Sequence, residues 1–240
     1  MRFGVDEAGK GPVLGSMFAA VVVADPAALP ADVDDSKAVP ADRRPALARE
    51  IRAVAADVAV AEVSVDRIDD PETDMNTLTV AAHAEVLDAV AEGVFDRVAG
   101  EGQDGGSTTT SGQLAGTVDA GDTDADRFGR RVAARLTGAV EGDVAVTAEH
   151  GADETDPLVG AASVVAKQAR ETHVATLAAE YGPVGSGYPS DPATREFLRR
   201  YVEREGALPA CARTSWQTSA DLLAAAEQSS LDGFARVDQE

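Results

Sequence analysis

The sequence predicts an α/β domain built on a mixed central sheet. Two strand-like runs open the chain, ending at Val5 and spanning Phe18–Val23, with only a short turn between them. Later strand-like runs alternate with helical ones, the order expected of strands joined by helical crossovers. The 44% hydrophobic content shows clear periodicity, which argues against disorder despite a formal charge of -21.

Phe3 and Val5 alternate with smaller residues as the end of a buried strand. Asp6-Glu7 and a tight turn, Gly9-Lys10-Gly11-Pro12, follow directly. Two acids at the tip of a hydrophobic strand are costly unless a cation or partner compensates them. The pair is either an exposed acidic turn or part of a hard-metal site, since carboxylate oxygens suit Mg²⁺ or Mn²⁺. Gly4 to Gly11 nearly fits the phosphate-binding pattern G-x-x-x-x-G-K-[ST]. Gly11, however, lacks the required hydroxyl, and Asp6 and Glu7 would place negative charge in a phosphate cradle.

Asp34-Asp35-Ser36-Lys37 reads as a polar turn after the second strand. Residues 41–56 read as a helix with Leu47, Ile51 and Val54 on one face. Val58, Val60, Val63 and Val65 predict a third strand with a bulge near Glu62. Residues 77–99 predict a long helix with Val80, Leu87, Val90, Val94 and Val98 aligned. Residues 100–116, rich in Gly, Ser, Thr and Gln, predict a mobile surface loop. Thr117–Ala120 reads as a short strand ending in Asp119. Residues 124–140 read as a helix with Phe128, Val132 and Leu136 aligned, and Val144, Val146 and Ala148 as another strand.

Asp153 precedes a long helix predicted over Pro157–Tyr181. Leu158, Ala162, Val165 and Ala169 form its buried stripe, with Ser163, Lys167 and Arg170 on a different face. His173 continues the apolar stripe as a half-buried packing histidine. Residues 185–190 cannot be helical. Asp191-Pro192 caps a helix that carries Phe197, Leu198 and Tyr201 and stops at Gly206. Residues 220–226 read as a last short helix with a frayed acidic tail. The expected organisation is a catalytic domain over 1–206, carrying the insertion near 100–116, and a small helical extension over 207–240.

Composition narrows the function classes. No apolar run reaches membrane length and no secretory signal opens the chain, so the expectation is a soluble, cytoplasmic protein without membrane partners. The lone cysteine, Cys211, excludes an internal disulfide and a cysteine-based zinc site. There are 42 acids against 21 bases, and only three of the bases are lysines: Lys10, Lys37 and Lys167. This balance reads as adaptation to a high-salt cytoplasm, where carboxylates keep the surface hydrated and salt screens repulsion. Net charge therefore does not exclude a nucleic-acid partner.

Three separated stretches carry the candidate acids: Asp6-Glu7, Asp119 and Asp153. Two lie at strand ends and one at a helix entry, places that converge on one edge of an α/β sheet. Four carboxylates gathered there require cations, and a two-metal site for phosphodiester chemistry is the natural reading.

These motifs resemble ribonuclease HII, the archaeal branch in particular. Val5–Pro12 with Asp35-Ser36-Lys37 is similar to the family's first segments. Val118-Asp119-Ala120 with Asp126-Arg127-Phe128 is similar to its third acidic segment, and Ala152-Asp153 with Ala161–Lys167 to its fourth. Gly185–Pro192 and Ser215-Trp216 follow in the family's order. Ser16, Glu171 and the 100–116 stretch depart from the usual pattern, and none of them touches a matched acid.

The resemblance implies a ribonuclease H-like fold and two divalent cations, Mn²⁺ or Mg²⁺, held by Asp6, Glu7, Asp119 and Asp153. The implied activity is hydrolysis of the RNA strand of RNA–DNA hybrids and cleavage 5′ of ribonucleotides in duplex DNA, leaving 5′-phosphate and 3′-hydroxyl ends. Selectivity then requires detection of a 2′-hydroxyl. Gly9, Lys10 and Gly11 fit that task through their backbone, and Tyr188 through stacking on the sugar. Lys37, Ser163, Lys167 and Arg170 are candidate phosphate contacts, whereas Trp216 is expected to pack the C-terminal region. The expected form is a monomer. A sliding-clamp contact is not readable in the sequence. Rival readings are a four-carboxylate exonuclease, disfavoured because Asp6 and Glu7 are adjacent, and a non-catalytic acidic cation-binding protein.

Overall fold

The structure, a computed structural model, describes residues 1–35, 39–100, 114–137 and 144–237. The five strands are β1 (Arg2–Ala8), β2 (Met17–Ala24), β3 (Asp57–Val63), β4 (Leu114–Asp119) and β5 (Val144–Glu149), in the sheet order β3-β2-β1-β4-β5. β1 pairs antiparallel with β2, and β2 with β3. β1, β4 and β5 run parallel. The mixed sheet is therefore as expected, with β1 at the junction between its antiparallel and parallel halves.

Every residue of β2 is buried, so both faces of the sheet are covered there. On one face Ala20, Val22 and Ala24 meet α1 (Arg44–Val54) through Leu47, Ala48 and Ile51. The same cluster takes in α5 (Pro157–Tyr181) through Leu158, Ala161, Ala162 and Val165. Helix α3 (Met75–Gly100) packs against β1, β2 and β3, and α4 (Ala125–Ala133) against β5 and α3. Gly4 lets α5 lie directly on β1: a Cβ there would sit 2.2 Å from the backbone at Leu158–Val159. That approach sets the first turn of α5 against the central strand.

The chain divides into two compact units. The first comprises Met1–Ala8, Met17–Val63 and Asp74–Arg170; the second comprises Gly9–Ser16, Ser64–Thr73 and Glu171–Glu240. The boundary expected at 206/207 falls inside the second unit. That unit contains α2 (Val65–Ile68), the end of α5, α6 (Pro192–Glu205) and α7 (Gln217–Val237). Its core gathers Val13, Leu14, Leu177, Val184, Leu198, Cys211 and Ala212. Asp191 caps α6 by accepting from the Ala193 N–H at 2.9 Å, and Gly206 closes the helix. No helix among the described residues is long and apolar enough to cross a membrane.

Several boundaries differ from the sequence reading. β3 pairs with β2 one residue at a time from Met17↔Val63 to Val23↔Asp57, so there is no bulge. The apparent phase change arises because Val58 packs with the α1–α5 cluster while Val63 is fully buried and Val60 is exposed. Val65 begins α2 behind a Ser64 cap rather than continuing the strand. Helix α4 ends at Ala133 and leaves Leu136 buried in the following turn. Residues 114–116, expected in the loop, are strand, because β4 pairs from Leu114 onward; residues 101–113 lie outside the described set. The last helix is 21 residues rather than seven, since it begins at Gln217 and runs through the alanine-rich stretch to Val237. The mobility expected of residues 101–113 and the fraying of 238–240 fall outside the described residues.

Candidate active site

Successive strand residues point to opposite faces, so Asp6 and Glu7, although adjacent, leave β1 in different directions. Asp6 turns toward α5, where the Ser163 hydroxyl lies beside it. Glu7 turns toward α3, where His83 Nε2 lies 2.8 Å from its Oε2. β1 and β4 pair as far as Val5↔Val118, so Asp6 and Asp119 occupy the next step at the C-terminal ends of neighbouring parallel strands. Asp153 sits in a single turn of 3₁₀ helix, Ala152–Glu154, just before α5. Asp119 Oδ1 accepts from the Ala152 N–H at 2.8 Å and ties that turn to the end of β4.

Asp6 is only 5% exposed. Burial, then the charge of Glu7, pushes its carboxyl well above the usual carboxylate range, and Asp119 adds to this. The Ser163 hydroxyl and the Glu7 N–H, at 2.7 Å, work in the other direction. Asp119 is also raised, first by burial and then by Glu7 and Asp153, against the hydrogen bond from Ala152. The four acids named from the sequence therefore act on one another electrostatically within the first unit. Among the described residues, no three Asp, Glu, His or Cys side chains are already drawn together tightly enough to enclose one ion. The four candidate side chains nonetheless offer only carboxylate oxygen, and burial raises two of them, Asp6 and Asp119; oxygen donors of this kind suit a hard divalent cation.

In the second unit the Gly9-Lys10-Gly11 turn is held from several sides. Gly9 adopts φ 98°, open to glycine at little cost. The Gly187 carbonyl accepts from the N–H groups of Val13 (2.8 Å) and Leu14 (3.2 Å), which joins this turn to the loop carrying Tyr188. A Cβ on Gly11 would lie 3.8 Å from Tyr188 Cε1, so the 40%-exposed tyrosine ring borders the turn.

A family model described as ribonuclease HII matches residues 3–98 and 115–219. The ribonuclease HII of the halophilic archaeon Haloarcula marismortui is 66% identical over 234 residues, covering 98% of this chain and 100% of that one. The chain belongs to the ribonuclease HII family. Among solved structures, ribonuclease H2 from Pyrococcus horikoshii OT3 superposes with TM-score 0.74 at 30% identity, over 94% of this chain and 98% of that one. Ribonuclease HII from Archaeoglobus fulgidus, solved as a PCNA complex, gives TM-score 0.72 at 34% identity over 90% and 95%. The fold is thus ribonuclease H-like, and the enzyme is an endonucleolytic hydrolase of RNA in RNA–DNA hybrids.

With the ribonuclease HII fold in place, the remaining sequence candidates fall as follows. Lys167 is half-buried on α5, Arg170 is buried, and Ser163 is fully buried against Asp6. Lys37 lies outside the described residues. Trp216, expected only to pack the C-terminal region, also donates from Nε1 to the Gly11 carbonyl at 3.3 Å. Sequence reading passed over two residues. His83 is fully buried and meets Phe128 edge-on at 5.2 Å; its signal was a histidine inside an apolar helical stripe. Arg213 is also fully buried; its signal was an arginine flanked by the small residues Ala212 and Thr214.

Proposed function

We propose that Asp6, Glu7, Asp119 and Asp153 hold two divalent cations, Mg²⁺ or Mn²⁺, and that the enzyme cuts on the 5′ side of a ribonucleotide in duplex DNA as well as within RNA–DNA hybrids. The observation that carries this reading is the mutual electrostatic coupling of these four acids at the ends of β1 and β4 and the entry to α5. The family as a whole depends on divalent metal. Bound there, the ions supply an activated water and neutralise charge at the scissile phosphate. The protein's own part is positional. The Glu7 N–H orients Asp6, His83 orients Glu7, and the Ala152 N–H orients Asp119.

Gly9, Lys10 and Gly11 present backbone to the ribose, and Tyr188 offers a ring to its far side. Lys10 and Lys167 are the cations proposed for flanking phosphates, with Lys37 and Arg170 as further candidates. The test is a DNA duplex holding one ribonucleotide, incubated with Mg²⁺ or Mn²⁺ and mapped on a gel. Cleavage 5′ of the ribonucleotide, with 5′-phosphate and 3′-hydroxyl ends and an untouched all-DNA duplex, is the expected result. Equal cleavage of the all-DNA duplex would overturn sugar reading.

A clamp contact belongs to the same proposal, because the Archaeoglobus fulgidus relative was solved with PCNA. Gln228, Leu231 and Phe234 recur every third residue in the sequence of the C-terminal segment and are the candidates for that contact. Phe234→Ala should abolish co-elution with a PCNA-type clamp and leave cleavage of free duplex unchanged. Undiminished co-elution would place the contact elsewhere.

A further inference from the structure

The turn read here as the sugar sensor is gripped from behind by one buried cation and one indole. Arg213, at 0% exposure, donates from Nη2 to the Gly9 carbonyl at 2.6 Å, from Nη1 to the Lys10 carbonyl at 2.8 Å and from Nε to the Gly15 carbonyl at 2.8 Å. Its guanidinium lies over the Trp216 ring, 4.8 Å from the centroid, while Trp216 Nε1 takes the Gly11 carbonyl. Four carbonyls of one loop are thus engaged by two neighbouring side chains.

Their own segment is fixed in turn. The Arg213 N–H donates to the Val13 carbonyl at 2.8 Å, Leu14 bridges Ala212, and Ser219 Oγ donates to the Arg213 carbonyl at 2.7 Å. Asp69 accepts from the N–H groups of Thr214 (2.7 Å) and Ser215 (3.0 Å).

Burying an arginine is expensive, and a simple hydrophobic plug would fill the same space more cheaply. What an arginine adds is a rigid planar fork of five donors that fixes the acceptors it meets in direction as well as distance. Here the acceptors are the peptide planes at Gly9 and Lys10, with Trp216 fixing Gly11. Glycine backbone is free to rotate, and a peptide plane that rotates cannot discriminate one oxygen atom on a sugar.

We infer that Arg213 and Trp216 are specificity-positioning residues: they lock the peptide planes of Gly9, Lys10 and Gly11 in the orientation that distinguishes a ribonucleotide from a deoxyribonucleotide. The inference rests on the reading of this turn as the sugar sensor. Neither side chain needs to touch the substrate.

The test compares wild type, Arg213→Lys and Trp216→Phe in molar KCl with Mn²⁺. Arg213→Lys keeps the charge and loses the fork; Trp216→Phe keeps an aromatic ring and loses the Nε1 donor. Each is assayed for kcat/KM on the single-ribonucleotide duplex and for binding to the matching all-DNA duplex. Hydrogen exchange at the amides of residues 9–16 is followed in the free protein. For Arg213→Lys we expect kcat/KM on the ribonucleotide duplex to fall at least tenfold, all-DNA binding to stay within twofold and amide exchange in the turn to quicken. Trp216→Phe should move the same way by about threefold.

Unchanged discrimination in a folded Arg213→Lys protein overturns the inference, and so does a proportional loss of both substrates, which marks a merely structural role. Should Arg213→Lys fail to fold, Trp216→Phe decides by the same criteria. A wild-type enzyme that cuts both duplexes alike refutes the sugar-sensor reading itself, an outcome separate from any failure of the variants.

Discussion

His83 Nε2 lies 2.8 Å from Glu7 Oε2, and the side chains of both are almost wholly shielded from water, at 0% and 7% exposure. The other ring nitrogen, Nδ1, is buried without a hydrogen-bond partner. With Nδ1 unpartnered, Nε2 is the ring nitrogen through which His83 meets the carboxylate. Histidine here orients a carboxylate, the converse of the usual arrangement in which a carboxylate orients a metal-bound histidine.

His83→Leu keeps an apolar filling against Phe128 and deletes the donor. It should fold, weaken Mn²⁺ binding measured calorimetrically on the free protein, and slow cleavage, each by about 10–100-fold. Wild-type Mn²⁺ affinity in the folded variant would show that Glu7 does not need this orientation.

Asp6 gives a prediction with opposite signs for stability and activity. Its carboxyl is buried beside Glu7 and Asp119, which is costly in the cation-free fold. Asp6→Asn retains an oxygen for the Glu7 N–H and removes the buried charge. Melting in EDTA should rise by on the order of 1 kcal/mol, about 2–4 °C in Tm for a chain of this size. Turnover should fall by several orders of magnitude. A variant that is less stable than wild type and keeps a tenth of its rate would remove Asp6 from the site.

Acid should unfold the protein over a defined window. Asp122 is held at about 2 chiefly by the Arg127 guanidinium, Asp191 at about 2 chiefly by the Ser186 N–H, and Glu196 at about 2 chiefly by Arg199. Each folded value lies below the unfolded one, so unfolding takes up protons. The stability these groups contribute is complete above about pH 4 and is lost as pH falls toward about 2. Thermal melts at fixed salt should show Tm falling across that interval, less steeply in Asp122→Asn. A Tm that is flat from pH 4 to pH 2 would contradict the pairing.

Salt should act against the usual rule for proteins that bind nucleic acid, whose affinity falls as salt rises. With a formal charge of -21, the chain repels itself and DNA over long range. Screening shortens that range from about 10 Å at 0.1 M to about 3 Å at 1 M, while contacts at bonding distance persist. Molar KCl should therefore raise both Tm and cleavage rate at fixed Mg²⁺. A protein most stable and most active in dilute buffer would refute the high-salt reading and leave the family assignment intact.

Much of this was legible beforehand, for physical reasons. Asp6-Glu7 stood out because charge at the tip of a hydrophobic strand is costly, and the strand runs showed because alternation is a local signal. β3 misled because its valines answer to different neighbours, which no local period records. Helix α7 was underestimated because Ser229, Ser230 and Gly233, weak helix formers, interrupt its second half in the sequence. His83 and Arg213 were passed over for one shared reason. Each acts on a residue far away in sequence, His83 on Glu7 and Arg213 on Gly9, so the local signal of each names no partner.

Cys211 turns the second unit's core into its own chronometer. The thiol is the only one in the chain, and burial pushes it up to about 11, so near pH 8 it is both covered and protonated. Alkylation must wait for the surrounding core to part, and its rate then counts those openings rather than the reactivity of sulfur. Because the Cys211 carbonyl accepts from the Gly15 N–H and the next residue but one is Arg213, those openings are counted at the segment that anchors the turn.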